Sequence, residues 1–291
     1  MRVCSLLPSA TEIVADLGLI DSLVGVSEEC AWPPEVKAKP RVTAARIDSA
    51  TLSSEAIDGI VKASVGDGGS LYTVDADLIE ELRPDILITQ DLCTVCAVSS
   101  GDLASACPVG AEIISLDPGT LDEVAATVTV LGERLGAANA AREIVAEMQR
   151  KIASVRAAVD GLPRKRVFVA EWIDPPYCAG HWVPEMVDAA GGEEVMGVHA
   201  KPSHATTWDE VLARDPELVV IAPCGFLAKE AAERAAHLRL PTRVVAVDAD
   251  GYFSRPAPRL ADGVRQLGHL LHPDVVADPR LAAIELQVAT G

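Results

Sequence analysis

Two short spacings in the chain carry the side chains of a soft-metal site. Cys93 and Cys96 form Cys-x-x-Cys, and Cys178 and His181 form Cys-x-x-His. Thiolates and imidazoles at such spacings are the common ligands of tetrahedral zinc. The two halves lie about eighty residues apart, so one zinc would have to join distant parts of the fold. A lone histidine usually serves structure. His181, however, stands between Gly180 and Trp182 in a proline-containing stretch, which makes it a candidate ligand. His199 and His204 sit in a second polar stretch and read as solvated.

The aromatic residues are few: four Trp, three Tyr and three Phe. Phe168 lies inside an apolar run. Trp32, Tyr72, Trp172, Tyr177, Trp182, Trp208, Phe226, Tyr252 and Phe253 fall where loops or element ends are expected, several directly after strand-like runs. Each could simply pack a loop. Together they point to a cleft lined for a large, flat, partly apolar ligand. Arg255 and Arg259 read either as holders of an anionic group or as solvated surface residues.

The elements that must position these residues repeat. Arg2-Val3 opens an apolar strand and Arg166-Val167 opens another. Leu82-Arg83-Pro84-Asp85 followed by Ile86-Leu87-Ile88 is echoed by Arg214-Asp215-Pro216-Glu217 followed by Leu218–Ile221. Ala111–Asp117 is echoed by Arg243–Asp248. Strands alternating with helices predict βα units on parallel sheets. A duplicated order predicts an α/β fold of two similar lobes, residues 1–118 and 165–275, with helices on residues 119–164 between them and a tail on 276–291. Thr120 and Glu123 have capping-box spacing, as do Ser9 and Glu12. Gly132 and Gly136 break the connecting helices. The second, near residues 137–159, spans about 34 Å, and the ligand cleft is expected between the lobes whose strand ends it joins.

Composition removes whole classes of function. In 291 residues, 43 acidic against 25 basic side chains give a net charge of −18, while hydrophobic residues make up 49%. The chain has ample material for cores, and its charge disfavours nucleic acid and anionic membranes. No run approaches the apolar length of a membrane span. The opening Met1–Ser9 reads as a strand rather than an export signal, which predicts a cytoplasmic protein unless the chain is a trimmed mature form. Seven cysteines predict reduced thiols. Gly66–Ser70 lacks the Lys-Ser/Thr of a phosphate loop, and neither Gly-x-Ser-x-Gly nor His-Glu-x-x-His occurs. No acid–base pair at a recognisable spacing argues for an enzyme.

With those motifs in place, the chain resembles the class III periplasmic binding proteins of ABC importers over about residues 1–275. The resemblance rests on Ser5-Leu6-Leu7-Pro8-Ser9-Ala10-Thr11-Glu12, on the helix–Pro-Asp–strand units, and on Gln90-Asp91-Leu92-Cys93-x-x-Cys96-Ala97-Val98. These look most like the cobalamin-binding branch. The resemblance implies a non-catalytic protein whose ligand is a corrinoid or related metal chelate. Its candidate binding residues are Trp32, Tyr72, Gln90, Trp172, Tyr177, His181, Trp182, Phe226, Tyr252 and Arg255, with His181 reaching for cobalt. A zinc or soft-metal carrier using His181, Cys93, Cys96 and Cys178 is the alternative, and an enzyme acting on a corrinoid a further one. The family docks to its permease through one glutamate per lobe. Here the matching residues are Asp77 and Asp209, with Glu210 adjacent; the shorter side chains predict that an importer is not stimulated.

Overall fold

A computed structural model describes residues 1–47, 49, 51–66, 71–90 and 110–287. The chain forms two compact units, Met1–Pro118 with Ala125–Val145, and Gly119–Val124 with Ala146–Gly291.

The first unit runs through β1 (Val3–Ser5), α1 (Pro8–Asp16), β2 (Leu23–Val26), β3 (Thr43–Ala45), α2 (Ser54–Gly66), β4 (Tyr72–Val74), α3 (Ala76–Leu82), β5 (Ile86–Thr89) and β6 (Glu112–Ser115). Its main sheet has the order β2-β1-β5-β6, all parallel; β3 and β4 form a separate antiparallel pair. Val3, Ile86 and Ile88 share one core with Ile13 and Val14 of α1. Ser9 and Glu12 do not form the expected capping box. The helix starts one residue earlier, with Leu7 at its N-cap and Pro8 in its first turn, because proline's fixed φ and missing N–H suit the first helical position. Ser9 and Glu12 are buried inside the helix instead.

Two helices follow, α4 (Leu121–Arg134) and α5 (Ala138–Val159). The Thr120 hydroxyl accepts from Glu123 N at 3.1 Å, and Glu123 accepts from Gly119 N at 2.7 Å. Gly132 lies against Ala141 with no room for a Cβ, which explains a glycine inside α4. The chain passes between the units at 118/119, 124/125 and 145/146, the last two inside α4 and α5.

The second unit contains β7 (Lys165–Ile173), β8 (Pro176–Cys178), α6 (Val183–Ala189), β9 (Gly192–Glu194), β10 (His204–Ala205), α7 (Trp208–Ala213), β11 (Leu218–Ile221), α8 (Ala228–Arg234), β12 (Arg243–Val247), α9 (Ala249–Tyr252), α10 (Leu260–Leu271) and β13 (Ala283–Glu285). Its parallel strands β9-β7-β11-β12 repeat the order of the first sheet. The repetition reaches single bonds. Arg2 Nε donates to Leu82 O, and Arg166 Nε to Asp215 O, one position further along. Arg2 N donates to Asp85 and Arg166 N to Glu217. Arg83 and Asp215, each before a proline, both take positive φ, 43° and 49°, a position from which a helix cannot continue.

Two expectations change here. The 276–291 stretch is more than a tail: β13 pairs antiparallel with β12. The segment after residue 170 is a hairpin rather than a loop, because β7 runs on to Ile173 and pairs with β8 across a cis Asp174–Pro175 turn. Trp172 and Tyr177 therefore lie on strands, as does Tyr72 on β4.

Candidate functional site

In parallel α/β sheets the carboxyl ends of the strands are where ligands are held. In the second unit, β7, β11 and β12 end at Trp172–Ile173, Ile221 and Val247. The Trp172 and Phe226 rings meet there, centroids 5.9 Å apart and tilted by 47°. The Arg234 guanidinium lies 4.1 Å over Phe226, a cation–π geometry. Cys224 N donates to Glu171 O, fixing the turn after β11 to β7. After β12, Asp248 caps α9 by accepting from Gly251 N at 2.8 Å. Burial raises the Asp248 carboxyl above the ordinary carboxylate range. Arg259 lies 5.4 Å from the Tyr252 ring. Arg255 is no solvated surface residue: it is 9% exposed and pairs with Asp250 at 2.6 Å.

Trp182 belongs to the core. It is 5% exposed, and its Nε1 donates to Phe253 O at 2.8 Å, so it anchors the start of α6 to the α9 end. His181, with φ 52°, lies with its ring 5.6 Å from that indole. Its backbone N donates to Lys201 O at 2.7 Å and its O accepts from Ala200 N at 3.0 Å. Its Nε2 is enclosed by protein and has no hydrogen-bond partner. Burial lowers its pKa, favouring the neutral ring. The nitrogen most often used for metals is therefore turned inward. His199 is paired rather than merely solvated: its Nε2 lies 2.6 Å from Glu185, whose other oxygen accepts from Leu121 N at 2.7 Å.

Cys178 is buried on β8, opposite His204. Burial, with Glu194 nearby, pushes its thiol up to about 11. A protonated thiol is a poor metal ligand, and among the described residues no three His, Cys, Asp or Glu side chains are grouped to hold a metal. Cys93 and Cys96 lie outside the described residues. So does most of the Gly66–Ser70 stretch.

In the first unit, Gln90 is buried directly after β5, Tyr72 is half-buried on β4 opposite Ala45, and Trp32 is 42% exposed beside a cis Pro33. Asp77 and Asp209 are exposed at equivalent places, in the first turns of α3 and α7, two residues beyond the capping residues Asp75 and Thr207. Glu210 is committed locally: it completes a capping box with Thr207 and accepts from the Thr206 hydroxyl at 2.8 Å.

Sequence reading missed Glu185, Glu194 and Arg234. Their partners lie on other segments, and their only signal is a charged residue close to an element end. Among the described residues, no helix is long and apolar enough to cross a membrane.

A family model described as periplasmic binding protein matches residues 3–249. The chain is 25% identical over 288 residues to an uncharacterized ABC transporter substrate-binding lipoprotein of Bacillus subtilis, covering 94% of this chain and 80% of the relative. It is 24% identical over 272 residues to the vitamin B12-binding protein of Vibrio cholerae, covering 91% and 87%. The solved structure of the periplasmic vitamin B12-binding protein of Vibrio cholerae superposes with TM-score 0.64 at 22% identity, covering 92% of this chain and 94% of that one. A periplasmic haem-binding protein from Pseudomonas aeruginosa superposes with TM-score 0.71 at 21% identity, covering 100% and 99%.

Proposed function

The chain belongs to the periplasmic binding protein family, and on that premise we propose that it binds a corrinoid, without transforming it, against the strand-end face of its second unit. The observation that carries this reading is the pair Trp172–Phe226, with Arg234 over Phe226, placed where β7 and β11 end. Aromatic faces suit a broad macrocycle, because they contribute dispersion and area burial at small cost in conformational entropy. Charge favours a corrinoid over haem. The chain carries −18, which at long range disfavours the two carboxylates of haem more than cobalamin, whose amide-rimmed corrin brings a single phosphodiester anion. His181, its Nε2 turned inward, lines the wall while the corrin keeps its own lower ligand.

Titration with aquocobalamin, dicyanocobinamide and hemin, followed by calorimetry, tests the reading. Expected are binding of both corrinoids, weakened in Trp172→Ala, and weaker binding of hemin. Binding of hemin alone, or of none of the three, overturns it. Zinc binding lost in both Cys93→Ser and Cys178→Ser would establish the soft-metal alternative instead.

Uncoupled binding is favoured by one further observation. Both docking positions carry aspartate, and Glu210 cannot stand in for a missing glutamate while it caps Thr207. A reconstituted vitamin B12 importer should show no ATPase stimulation by this chain. Stimulation that disappears in Asp77→Asn and Asp209→Asn would show coupling.

A further inference from the structure

On one edge of β7 the partner strand changes. Lys165–Val167 pair in parallel with β9, whereas Ala170–Ile173 pair antiparallel with β8. Val167 O accepts from Val195 N at 2.9 Å, and Val169 O accepts from Ala179 N at 3.1 Å. Between them the N–H of Val169 faces no strand. The Glu194 carboxyl fills that gap: Oε2 accepts from Val169 N at 3.1 Å, and Oε1 accepts from Met196 N at 3.3 Å and Gly197 N at 3.1 Å. One side chain thereby completes the ladder of β7 and folds the 195–197 turn against it. Gly197 then comes so close to Ala179 O that no Cβ fits between them.

The segment that follows this turn is bonded to His181 and packed against Gly180. Lys201 and Ala200 hold both backbone bonds of His181. A Cβ on Gly180 would lie 2.5 Å from Lys201 O and from Ser203 N. His204 and Ala205 then pair with β8.

We infer that Glu194 is a positioning residue: by bridging the change of partner on β7 it fixes the 195–203 segment, and through it the placement of Gly180 and His181 beside the ligand face. The inference rests on the proposed use of that face. The titratable groups facing Glu194 are Glu171 from β7 and Cys178 from β8; Glu171 itself accepts from Gly180 N at 3.4 Å, and Glu210 of α7 acts on Cys178. The turn Val195–Gly197 brings none. Burial, reinforced by Glu171, pushes the Glu194 carboxyl up to about 8 against the pull of its three N–H donors. A folded-state value above the ordinary one means that the protonated carboxyl favours the latched segment. Its contribution is complete below about 4.5 and is lost as pH rises to about 8.

Amide hydrogen exchange of the ligand-free full chain tests this, corrected for intrinsic rates and referenced to Val219 in β11. In the wild type, protection at His181 and Ala200 should fall from pH 5 to 8 and level off above it. Glu194→Gln should remove that pH dependence. Glu194→Ala should lower protection at both amides by about tenfold at pH 5, the scale of losing a buried multiply bonded acceptor, with Val219 unchanged. Glu171→Gln, which keeps the latch, should move the wild-type fall to lower pH. Unchanged protection in Glu194→Ala, a pH dependence that survives in Glu194→Gln, or a parallel loss at Val219 overturns the inference. Aquocobalamin and hemin titrations of the same samples separate it from the function. A wild type that binds neither overturns the proposed function, while the exchange data still decide the latch.

Discussion

The backbone N–H of Arg166 donates to the Glu217 carboxylate at 3.0 Å, across 51 residues of chain. The same carboxylate faces Lys165 at 3.5 Å. Arg2 N and Asp85 make the matching bond in the first unit at 2.7 Å. In both units a carboxylate two residues after a positive-φ turn ties the entry of one strand to the start of its neighbour.

That bond predicts a pH dependence. Hydrogen bonding from Arg166 N, with Lys165 beside it, lowers the Glu217 pKa. A depressed carboxylate contributes stability above its unfolded-state value near 4.5, and the contribution is lost as pH falls through the folded-state value. Glu217→Gln should destabilise the protein by less than about 1 kcal/mol at pH 7, since an exposed carboxylate is screened. Urea melts at pH 7 and pH 3 check this: the difference between the two proteins should shrink at pH 3.

Two tryptophans, ten residues apart, should separate binding from stability. Trp172→Ala should weaken aquocobalamin binding by about 1–3 kcal/mol, the scale of a lost aromatic contact, with little change in melting temperature. Trp182→Ala removes a 5%-exposed indole and its bond to Phe253 O; it should cost about 3 kcal/mol or more of folding stability. Calorimetry of binding and thermal melts of both variants give the answer, and equal effects on the two readouts would contradict the assignment.

Thiol reactivity should follow burial. Cys224 is exposed, whereas Cys4, Cys30 and Cys178 are buried. Burial pushes Cys4 up to about 12 and Cys178 up to about 11. A maleimide at pH 7.5 should label Cys224 within minutes and reach the other three only after denaturation, since the thiolate is the reacting form. Peptide mapping by mass spectrometry reads each site.

Glu185 holds Leu121 N at 2.7 Å and His199 at 2.6 Å. Glu185→Ala leaves the first turn of α4 without that acceptor and should lower stability by about 1–2 kcal/mol. His199→Ala, which keeps the bond to Leu121, should cost less, because His199 is half exposed. Guanidinium melts of the two variants and their double mutant give the coupling directly.

Two α/β units, the repeated order of their elements along the chain and the long helix were legible in the chain itself. Apolar strand runs, the helix–proline stops before Asp85 and Glu217, and Gly132 and Gly136 are local signals. Such signals act within a few residues, through backbone sterics and hydrophobic periodicity. The scarce aromatics stood out in the chain, but their surroundings did not. Trp172 faces Phe226 while Trp182 is core, because the β7–β8 hairpin and the start of α6 turn their side chains into different surroundings. The bridging bonds of Glu194 and Glu185 were invisible in the chain. Their bonds to Val169 N and Leu121 N span 25 and 64 residues. Only the packing of β9 beside β7, and of α6 against the first residues of α4, brings a carboxylate to a backbone N–H on a distant segment, and no residue pattern encodes that juxtaposition.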